Sequence, residues 1–363
     1  MKKALIYLGA TVTINIVINI VCRLSAGFSE WYATVIYPFV VVWARLTGLF
    51  PFAVVEILLY LFILTGIAGV VFLIIKLIKG KGKRKIYWVR AGLAVSCTAS
   101  TLVMMYTFGC GINYHRRPFS YYSGLELQEY SSEDLRNVIV EVIGELELLV
   151  PQINICEDGG FVLDKDNFNA VSRAAMKNLA EIFPVLDAYY PAPKPVFMSR
   201  QLLSRMMIMG IFSPFTMEAL YNRDMPDSQI PPTALHELSH LSGFMREDEA
   251  GFIAFLACRE SGNAELMYAG YTDALWSLFA WYDGDDAYEL YMSIPEQVRR
   301  QDEIERNYWW TIYDTPGGAV IAAVSGAVND TYLKAQGQAD GVKSYGRVVD
   351  LLIADYIERN NKA

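Results

Sequence analysis

Three stretches within the first 109 residues are almost free of charged side chains and are long enough to cross a membrane. They run from about residue 4 to 22, 52 to 75 and 89 to 108. A helix rises about 1.5 Å per residue, so each stretch approaches or reaches the thickness of the hydrocarbon core of a bilayer. The pattern predicts a membrane domain, residues 1–109, with three transmembrane helices.

The first and third stretches also carry stripes of residues that suit contact between helices. The first has polar residues at every fourth position, namely Thr11, Asn15 and Asn19. The third has small residues at the same spacing, namely Gly92, Ser96 and Ser100. Polar groups facing lipid are unfavourable and small residues let helices approach closely, so both stripes predict helix packing inside the membrane.

The start of the chain shares features with a signal peptide, because Met1-Lys2-Lys3 places positive charge ahead of an apolar run. However, the run is long and Arg23 follows it directly. Ile20-Val21 also stands where a lipoprotein signal has a small residue before Cys22. We therefore expect an uncleaved membrane anchor.

A fourth apolar segment, residues 31–44, is too short to cross a bilayer upright. It lies between Glu30 and Arg45 and contains Pro38. Trp31 and Trp43 are side chains that favour the level of the lipid headgroups. We expect an interfacial segment here. If it did cross, the following domain would lie on the cytoplasmic side.

Charge divides the chain into two unlike parts. Residues 1–109 contain eleven Lys and Arg against two acids, and the remainder contains twenty against thirty-seven, a net charge of −17. The densest positive run, residues 76–85, lies between the second and third predicted spans. A nucleic-acid patch is the rival interpretation, but the position between two spans favours a cytoplasmic loop. Three spans then place residues 110–363 outside the cytoplasmic membrane.

Residues 110–363 are enough for one domain with a substantial core. Apolar spacing predicts helices over 131–151, 167–183, 264–282, 296–309, 319–334 and 342–357, and strands over 195–198 and 206–212. The expected fold is an α-helical membrane anchor followed by an α-rich α+β domain.

The most informative motif is His236-Glu237-Leu238-Ser239-His240, which reads HExxH and holds two of the three histidines in the chain. Residues four apart share a helix face, so both histidines can bind one metal ion while Glu237 reaches a water beside it. A random chain of this length would contain HExxH only about once in a hundred cases. Pro231-Pro232 ahead of the motif and Gly243 behind it favour a helix of this extent. The motif predicts a hydrolytic Zn²⁺ site.

A catalytic zinc site usually has three protein ligands, so HExxH needs a third. His115 follows the third span directly, and an interfacial role suits it better. The helix that begins after Gly243 opens with Glu247-Asp248-Glu249. These acids also suit a helix N-terminus without any metal. Face geometry favours Glu247 as the ligand, with Glu249 as the alternative, because Glu247 shares a face with small residues that let two helices pack closely.

The segments that carry a family resemblance are residues 209–216, the HExxH helix, residues 247–254, Tyr268-Ala269-Gly270-Tyr271, residues 332–334 and residues 341–345. Together they resemble an uncharacterised family of bacterial membrane-anchored, gluzincin-like proteins known only as a domain of unknown function. More remotely, HExxH followed by a helix opening Glu-x-x-Ala-(Asp/Asn) is similar to the gluzincin peptidases. That resemblance implies a zincin-like fold and maps the third zinc ligand onto Glu247. Gly251 departs from the pattern, because those peptidases carry Asp or Asn there.

The leading hypothesis is a membrane-anchored zinc metallopeptidase that acts on peptides or proteins near the outer face of the membrane. Glu237 would take the proton of the attacking water and pass it to the leaving amine. Tyr271, or else Tyr268, is the candidate donor to the oxyanion, although either ring also suits an aromatic core. The expected partners are a peptide or protein substrate and the lipid bilayer, with no nucleic acid. The sequence leaves the oligomeric state open.

Two alternatives remain. The first is a non-catalytic metal-binding receptor or assembly protein, but a purely structural metal has no use for Glu237. A peptidase acting on cell-wall peptides would share the chemistry and differ in substrate. The acidic character of residues 110–363 is a poor match for polyanionic wall polymers, which favours protein substrates.

Overall fold

The computed structural model describes residues 1–197 and 200–362 and is 74% helical. The chain separates into two compact units. The first unit contains Met1–Arg116 and the short turn Ser213–Met217. The second contains Arg117–Phe212 and the chain from Glu218 onward.

The first unit is built from helices. They are α1 (Lys2–Leu24), α2 (Ala26–Trp31), α3 (Tyr37–Val40), α4 (Val42–Thr47), α5 (Val54–Lys79) and α6 (Arg84–Gly109), with a π-helical turn at Tyr32–Ile36 and 3₁₀ turns at Lys81–Lys83 and Gly111–His115. Helices α1, α5 and α6 are long and apolar enough to span a membrane. The three predicted stretches lie largely within these helices, which supports association with a membrane.

Helices α1 and α6 meet at one position from each of the two stripes seen in the sequence. Thr11 Oγ1 and Ser100 Oγ lie 2.6 Å apart and form a buried hydrogen bond. One turn away, Tyr7 Oη and Thr101 Oγ1 are 2.7 Å apart. The amide of Asn15 donates to the Thr11 carbonyl at 2.9 Å. The predicted contact between the helices is therefore confirmed at Thr11 and Ser100. Asn15 is buried but bonds within its own helix, and Gly92 and Ser96 are exposed.

The segment at residues 31–44 is broken into short helical pieces, and none of its α-helices exceeds six residues. Pro38 lies at the start of α3. Tyr32 and Ala44 are buried, whereas Trp31 and Trp43 are 50% and 58% exposed.

The second unit combines helices with two small sheets. Its helices are α7 (Phe119–Ser123), α8 (Ser132–Leu149), α9 (Lys165–Ile182), α10 (Arg200–Arg205), α11 (Ile230–Leu241), α12 (Glu247–Arg259), α13 (Ala264–Phe279), α14 (Ala287–Ser293), α15 (Glu296–Tyr313), α16 (Gly318–Ala335) and α17 (Val348–Lys362). Its strands are β1 (Asn154–Ile155), β2 (Phe161–Val162), β3 (Lys194–Val196), β4 (Gly210–Ser213) and β5 (Glu218–Asn222). Four 3₁₀ turns complete it, at Val150–Gln152, Pro184–Leu186, Asp227–Gln229 and Gly341–Arg347.

The sheets are small. Strands β1 and β2 form an antiparallel pair. The second sheet has the order β3-β5-β4, in which β3 and β5 run parallel and β4 lies at one edge.

Several predicted elements form where expected. Helix α8 begins with a capping box between Ser131 and Asp134, which satisfies the first free backbone groups of the helix. Helices α9, α13, α15 and α16 also match their predicted stretches closely. The strand predicted at 195–198 appears as β3, and its last residue, Met198, lies outside the described residues.

Two predictions are wrong in their bounds. The strand predicted from residue 206 begins only at Gly210, because Met207 adopts φ +56° and turns the chain after α10. The helix predicted from residue 342 begins only at Val348, because Gly341 adopts φ +58° and a 3₁₀ turn comes first. Strand β5 was not predicted from the sequence.

Candidate metal centre

Helix α11 carries the HExxH motif in the core of the second unit. Prolines occupy its first turn, where the missing N–H groups have no helical partner in any case. Gly243, at φ +93°, ends it in a conformation that glycine adopts without strain. The rings of His236 and His240 lie on one face, 4.7 Å apart and nearly perpendicular. The local sequence therefore places both imidazoles side by side.

Helix α12 begins at Glu247 and brings a carboxylate to the two histidines. Glu247 Oε2 lies 3.0 Å from His236 Nε2 and 3.5 Å from His240 Nε2. One ligand atom from each of the three residues falls within 4.8 Å of the others. Two imidazole nitrogens and a carboxylate oxygen form the donor set of many catalytic zinc sites. The structure thus brings together the three residues singled out as metal ligands.

The second ring nitrogen of His240 is held by the backbone. Nδ1 lies 2.8 Å from the carbonyl oxygen of Phe244, so it is the nitrogen that donates, and in the neutral ring Nε2 carries the lone pair. Metal-binding histidines are commonly oriented by a hydrogen bond of this kind. Burial acts to lower the pKa of His240, but the negative charge of Glu247 outweighs it and the pKa rises to about 9. Proton and metal would therefore compete for the same nitrogen.

Glu249, the alternative ligand, is placed elsewhere. Its Oε1 accepts from the guanidinium of Arg246 at 2.8 Å, and the backbone of Phe119 also hydrogen-bonds to it. Burial raises the pKa of Glu249 to about 7. It is not one of the three residues that converge, so the geometry favours Glu247 over Glu249.

Glu237 has the environment of a base. It is 6% exposed, and its Oε2 has no hydrogen-bond partner among the described residues. Burial raises its pKa to about 7, against the opposing effects of His236, His240 and the backbone N–H of Phe212. A carboxylate with one free oxygen and a pKa near neutrality can accept and release a proton at physiological pH.

The edge strand β4 sets the position of Glu237. A Cβ atom at Gly210 would lie 2.4 Å from Glu237 Oε1 and 2.6 Å from Thr233 Cγ2. Only glycine allows so close an approach. The ring of Phe212 also contacts that of His240, with 6.1 Å between the centroids. The strand therefore packs directly against the HExxH face of α11.

The tyrosines chosen from the sequence are not placed with these ligands. The ring of Tyr271 packs edge-on against Phe255, and the charges that act on its hydroxyl come from Glu145, Arg259, Arg359 and Glu141. Tyr268 stacks on Phe161 at 5.4 Å. Both rings belong to the aromatic core, which was the alternative weighed for them.

Tyr345, rather than Tyr271, is the tyrosine that lies against the cluster. Its ring stacks on that of His236, with 6.3 Å between centroids and 18° between planes. Burial and the nearby carboxylates of Glu247 and Glu237 raise the pKa of its hydroxyl, so it stays a hydrogen-bond donor. The ring is 42% exposed, so the same residue also reaches solvent. The 3₁₀ turn Gly341–Arg347 delivers this residue from far along the chain.

Asp273 on α13 is a second residue that the sequence did not single out. Burial raises the pKa of Asp273, and the charge of His236 acts in the opposite direction. At Gly251, where the resembling peptidases carry Asp or Asn, an added Cβ would lie 4.0 Å from His236 Nδ1. Gly251 thus leaves that side of the imidazole uncovered, and Asp273 is the carboxylate nearby. His115 lies in a 3₁₀ turn of the first unit and is not one of the three converging residues.

The fold and this cluster define a helix-rich protein with three candidate membrane helices and a buried His-His-Glu group. The chain belongs to a family of proteins of unknown function, DUF3810, whose profile matches residues 32–353. The match covers most of both units. Neither the curated proteins nor the solved structures include a significant match to the chain.

Proposed function

We propose that this protein is a membrane-anchored, zinc-dependent metallopeptidase with a gluzincin-like site. The observation that carries the proposal is the convergence of His236 Nε2, His240 Nε2 and Glu247 Oε2 beside the unpartnered oxygen of Glu237. A structural metal site has no need of an additional buried carboxylate. A hydrolytic site needs that carboxylate as its base.

The donor set fits zinc. The three ligand atoms are nitrogen, nitrogen and oxygen, the set found in catalytic sites that keep a fourth position open. The hydrogen bond from His240 to the Phe244 carbonyl presents the correct nitrogen. When bound, zinc would supply Lewis acidity that lowers the pKa of a water and polarises a carbonyl group.

Glu237 and Tyr345 would then have separate roles in the reaction. Glu237 accepts a proton from the attacking water on its free oxygen and delivers it to the leaving amine. The hydroxyl of Tyr345 donates a hydrogen bond to the oxygen that becomes negative as the carbonyl is attacked. Burial of Glu237 and Glu247 limits the number of water molecules that compete for these interactions.

Strand β4 is suited to hold an extended peptide. It lies at the edge of its sheet, and Ile211 is 37% exposed. An edge strand can pair with a substrate backbone through main-chain hydrogen bonds. Its contacts with Glu237 and His240 would bring such a peptide to the metal.

We further propose that the site lies outside the cytoplasmic membrane. The positive run at residues 76–85 lies between α5 and α6 and favours a cytoplasmic loop, as do Lys2 and Lys3. A phosphatase that is active only outside the cytoplasm, fused after residue 109, should be active. The same fusion at residue 82 should be silent, and the reverse result would overturn this topology.

Metal removal and return tests the activity. The full-length protein in detergent, loaded with zinc, should cleave members of a mixed peptide library. A chelator should abolish cleavage, and one equivalent of zinc should restore it. A zinc-loaded protein that cleaves no peptide would favour the non-catalytic receptor or assembly protein. Cleavage restricted to cell-wall peptides would favour a peptidase that acts on the cell wall.

A further inference from the structure

The second unit contains a cavity of about 900 Å³ that none of the proposed catalytic residues lines. Helices α13 and α15 form its walls, and Pro232 on the first turn of α11 closes one side. Its volume lies within the range of about 300–1,000 Å³ typical of ligand sites. It is large enough for a long side chain together with part of its backbone.

The cavity lies next to the metal cluster. Pro232 precedes His236 by four residues, which is about 6 Å along the helix axis. Asp273 lines the cavity and lies near enough to His236 for the imidazole to act on its carboxylate. A peptide held at the metal would therefore have a neighbouring side chain within reach of this space.

Aromatic rings make up much of the wall. The four are Trp276, Trp309, Trp310 and Tyr313. The rings of Trp310 and Tyr313 stack at 5.8 Å and are 62% and 41% exposed, so both can meet an entering group. The indole N–H of Trp309 donates to Gln229 at 2.9 Å, which fixes its orientation. Such faces attract cations through their π electrons.

The charged groups of the lining are mostly acidic. Asp273, Asp302, Glu305 and Arg306 carry a formal charge of −2, from three carboxylates and one guanidinium. Arg306 pairs with Asp302. Among the residues that the structure describes, no salt bridge reaches Asp273 or Glu305. The cavity therefore holds two carboxylates that pair with no lysine or arginine in the described part of the chain.

The carboxylate of Glu305 has no positively charged partner among the described residues. Its oxygens accept from the uncharged groups of Ser228, Gln229 and Gln301, at 2.5 to 3.0 Å, and from no charged group within residues 1–197 and 200–362. Burial raises its pKa, and the nearby charges of Asp273 and Asp302 raise it further. A neutral ligand would leave these carboxylates desolvated, and an anion would be repelled. A cation would satisfy them.

We propose that this cavity binds the basic side chain, lysine or arginine, of a peptide whose neighbouring bond is cleaved at the His236-His240-Glu247 cluster. The aromatic walls receive the apolar stem of the side chain, and Asp273 and Glu305 receive its charge. This inference rests on the proposed peptidase function for its substrate, but binding to the cavity can be measured without cleavage.

The test compares two peptides that differ only in one residue, lysine or its uncharged isostere norleucine. Binding is measured on the full-length, zinc-loaded Glu237→Gln protein by the fluorescence of the cavity tryptophans. We expect the lysine peptide to bind at least about tenfold more tightly, the effect of one desolvated cation contact. Equal binding of the two peptides would overturn the inference.

Two variants of cavity residues test whether the cavity is the source of the preference for lysine. Glu305→Gln should reduce the lysine preference at least about tenfold, and Trp310→Leu, at an exposed position that tolerates change, about threefold. Glu303→Gln, on the same helix but exposed and paired with Arg300, should leave the preference unchanged. A preference that survives both cavity variants would contradict the assignment.

Cleavage by the wild-type protein separates this inference from the function on which it rests. Cleavage of both peptides at equal kcat/KM would overturn the basic specificity and retain the peptidase. Preferential binding of the lysine peptide with no cleavage of either would retain the cation site and overturn the peptidase. Preferential cleavage beside lysine would support both.

Discussion

Gly210 and Glu237 approach so closely that a single methyl group at residue 210 would lie 2.4 Å from the Glu237 carboxylate. The strand and the helix that carry these residues are joined by this contact at the point where the proposed base lies. Glu237 therefore depends on the absence of a side chain at residue 210. This dependence can be tested without touching any proposed ligand.

The change Gly210→Ala should displace Glu237 and lower kcat by about a hundredfold, because a shift near 1 Å misaligns a reacting group. Zinc content should stay near one equivalent, since the three ligands are not contacted. Gly144→Ala is the matched control, because a Cβ atom there meets nothing within 4 Å. It should keep full activity. If Gly210→Ala is as active as Gly144→Ala, Glu237 does not need its observed position.

The two candidate third ligands make opposite predictions. Substituting a residue that only hydrogen-bonds to a metal ligand typically weakens metal binding roughly 10–100-fold. Glu247→Ala removes a ligand itself and should weaken zinc binding by more than that. Glu249→Gln should keep its zinc, because Glu249 pairs with Arg246 instead. Zinc titration against a competing chelator measures both. Loss of zinc from Glu249→Gln with retention in Glu247→Ala would reverse the assignment.

Tyr345 and Tyr271 can be separated by kinetics. Tyr345→Phe should lower kcat by about 10²–10³, the effect of removing one oxyanion donor, with little change in KM or zinc content. Tyr271→Phe should leave kcat unchanged, because its ring packs against Phe255 in the core. A loss of kcat in Tyr271→Phe alone would restore the assignment made from the sequence.

The contrast between these two tyrosines shows which parts of the site can be predicted from the sequence and which cannot. The proposed ligands His236, His240 and Glu247 follow from helical spacing and from the start of the next helix, and both are local properties of the chain. Tyr345 reaches His236 from a 3₁₀ turn far along the sequence, and Asp273 acts on it from another helix. No local pattern encodes such contacts. Gly341 could have indicated the turn that carries Tyr345, because glycine readily adopts the positive φ that this turn requires. The apolar periodicity around it favoured a helix instead.

The strands show the same limit. Strand β3 was predicted from its apolar run, but β4 is shorter than its run because Met207 turns the chain at φ +56°. The contact between Gly210 and Glu237 depends on where that turn ends. Apolar composition alone does not set the end of a strand.

The pKa of Glu305 predicts a dependence of stability on pH. Because its pKa in the folded protein is raised above the ordinary 4.5, ionising it disfavours the folded state. Wild-type stability should therefore fall relative to Glu305→Gln as the pH rises from 4.5 through the raised pKa. Below pH 4.5 the difference between the two proteins should be constant.

Thermal unfolding of the full-length protein in detergent, at pH 4 and pH 8, measures this effect. The substitution also alters hydrogen bonds, which shifts the Tm by an amount that does not depend on pH. The informative quantity is therefore how the difference in Tm between wild type and Glu305→Gln changes with pH. Glu303→Gln, whose side chain is 53% exposed, serves as the control and should show no such change. A difference between wild type and Glu305→Gln that does not vary with pH would contradict the burial of an uncompensated charge.

The central claim is that Glu237 is the base of a zinc peptidase. The most direct measurement is kcat for wild type and Glu237→Gln at equal, measured zinc content on the same peptide. We predict that Glu237→Gln binds zinc as wild type does and loses about 10²–10⁴ of its activity, the contribution of general acid–base catalysis. Equal activity of the two zinc-loaded proteins, or none in either, would contradict the claim and leave a metal-binding protein that is not a peptidase.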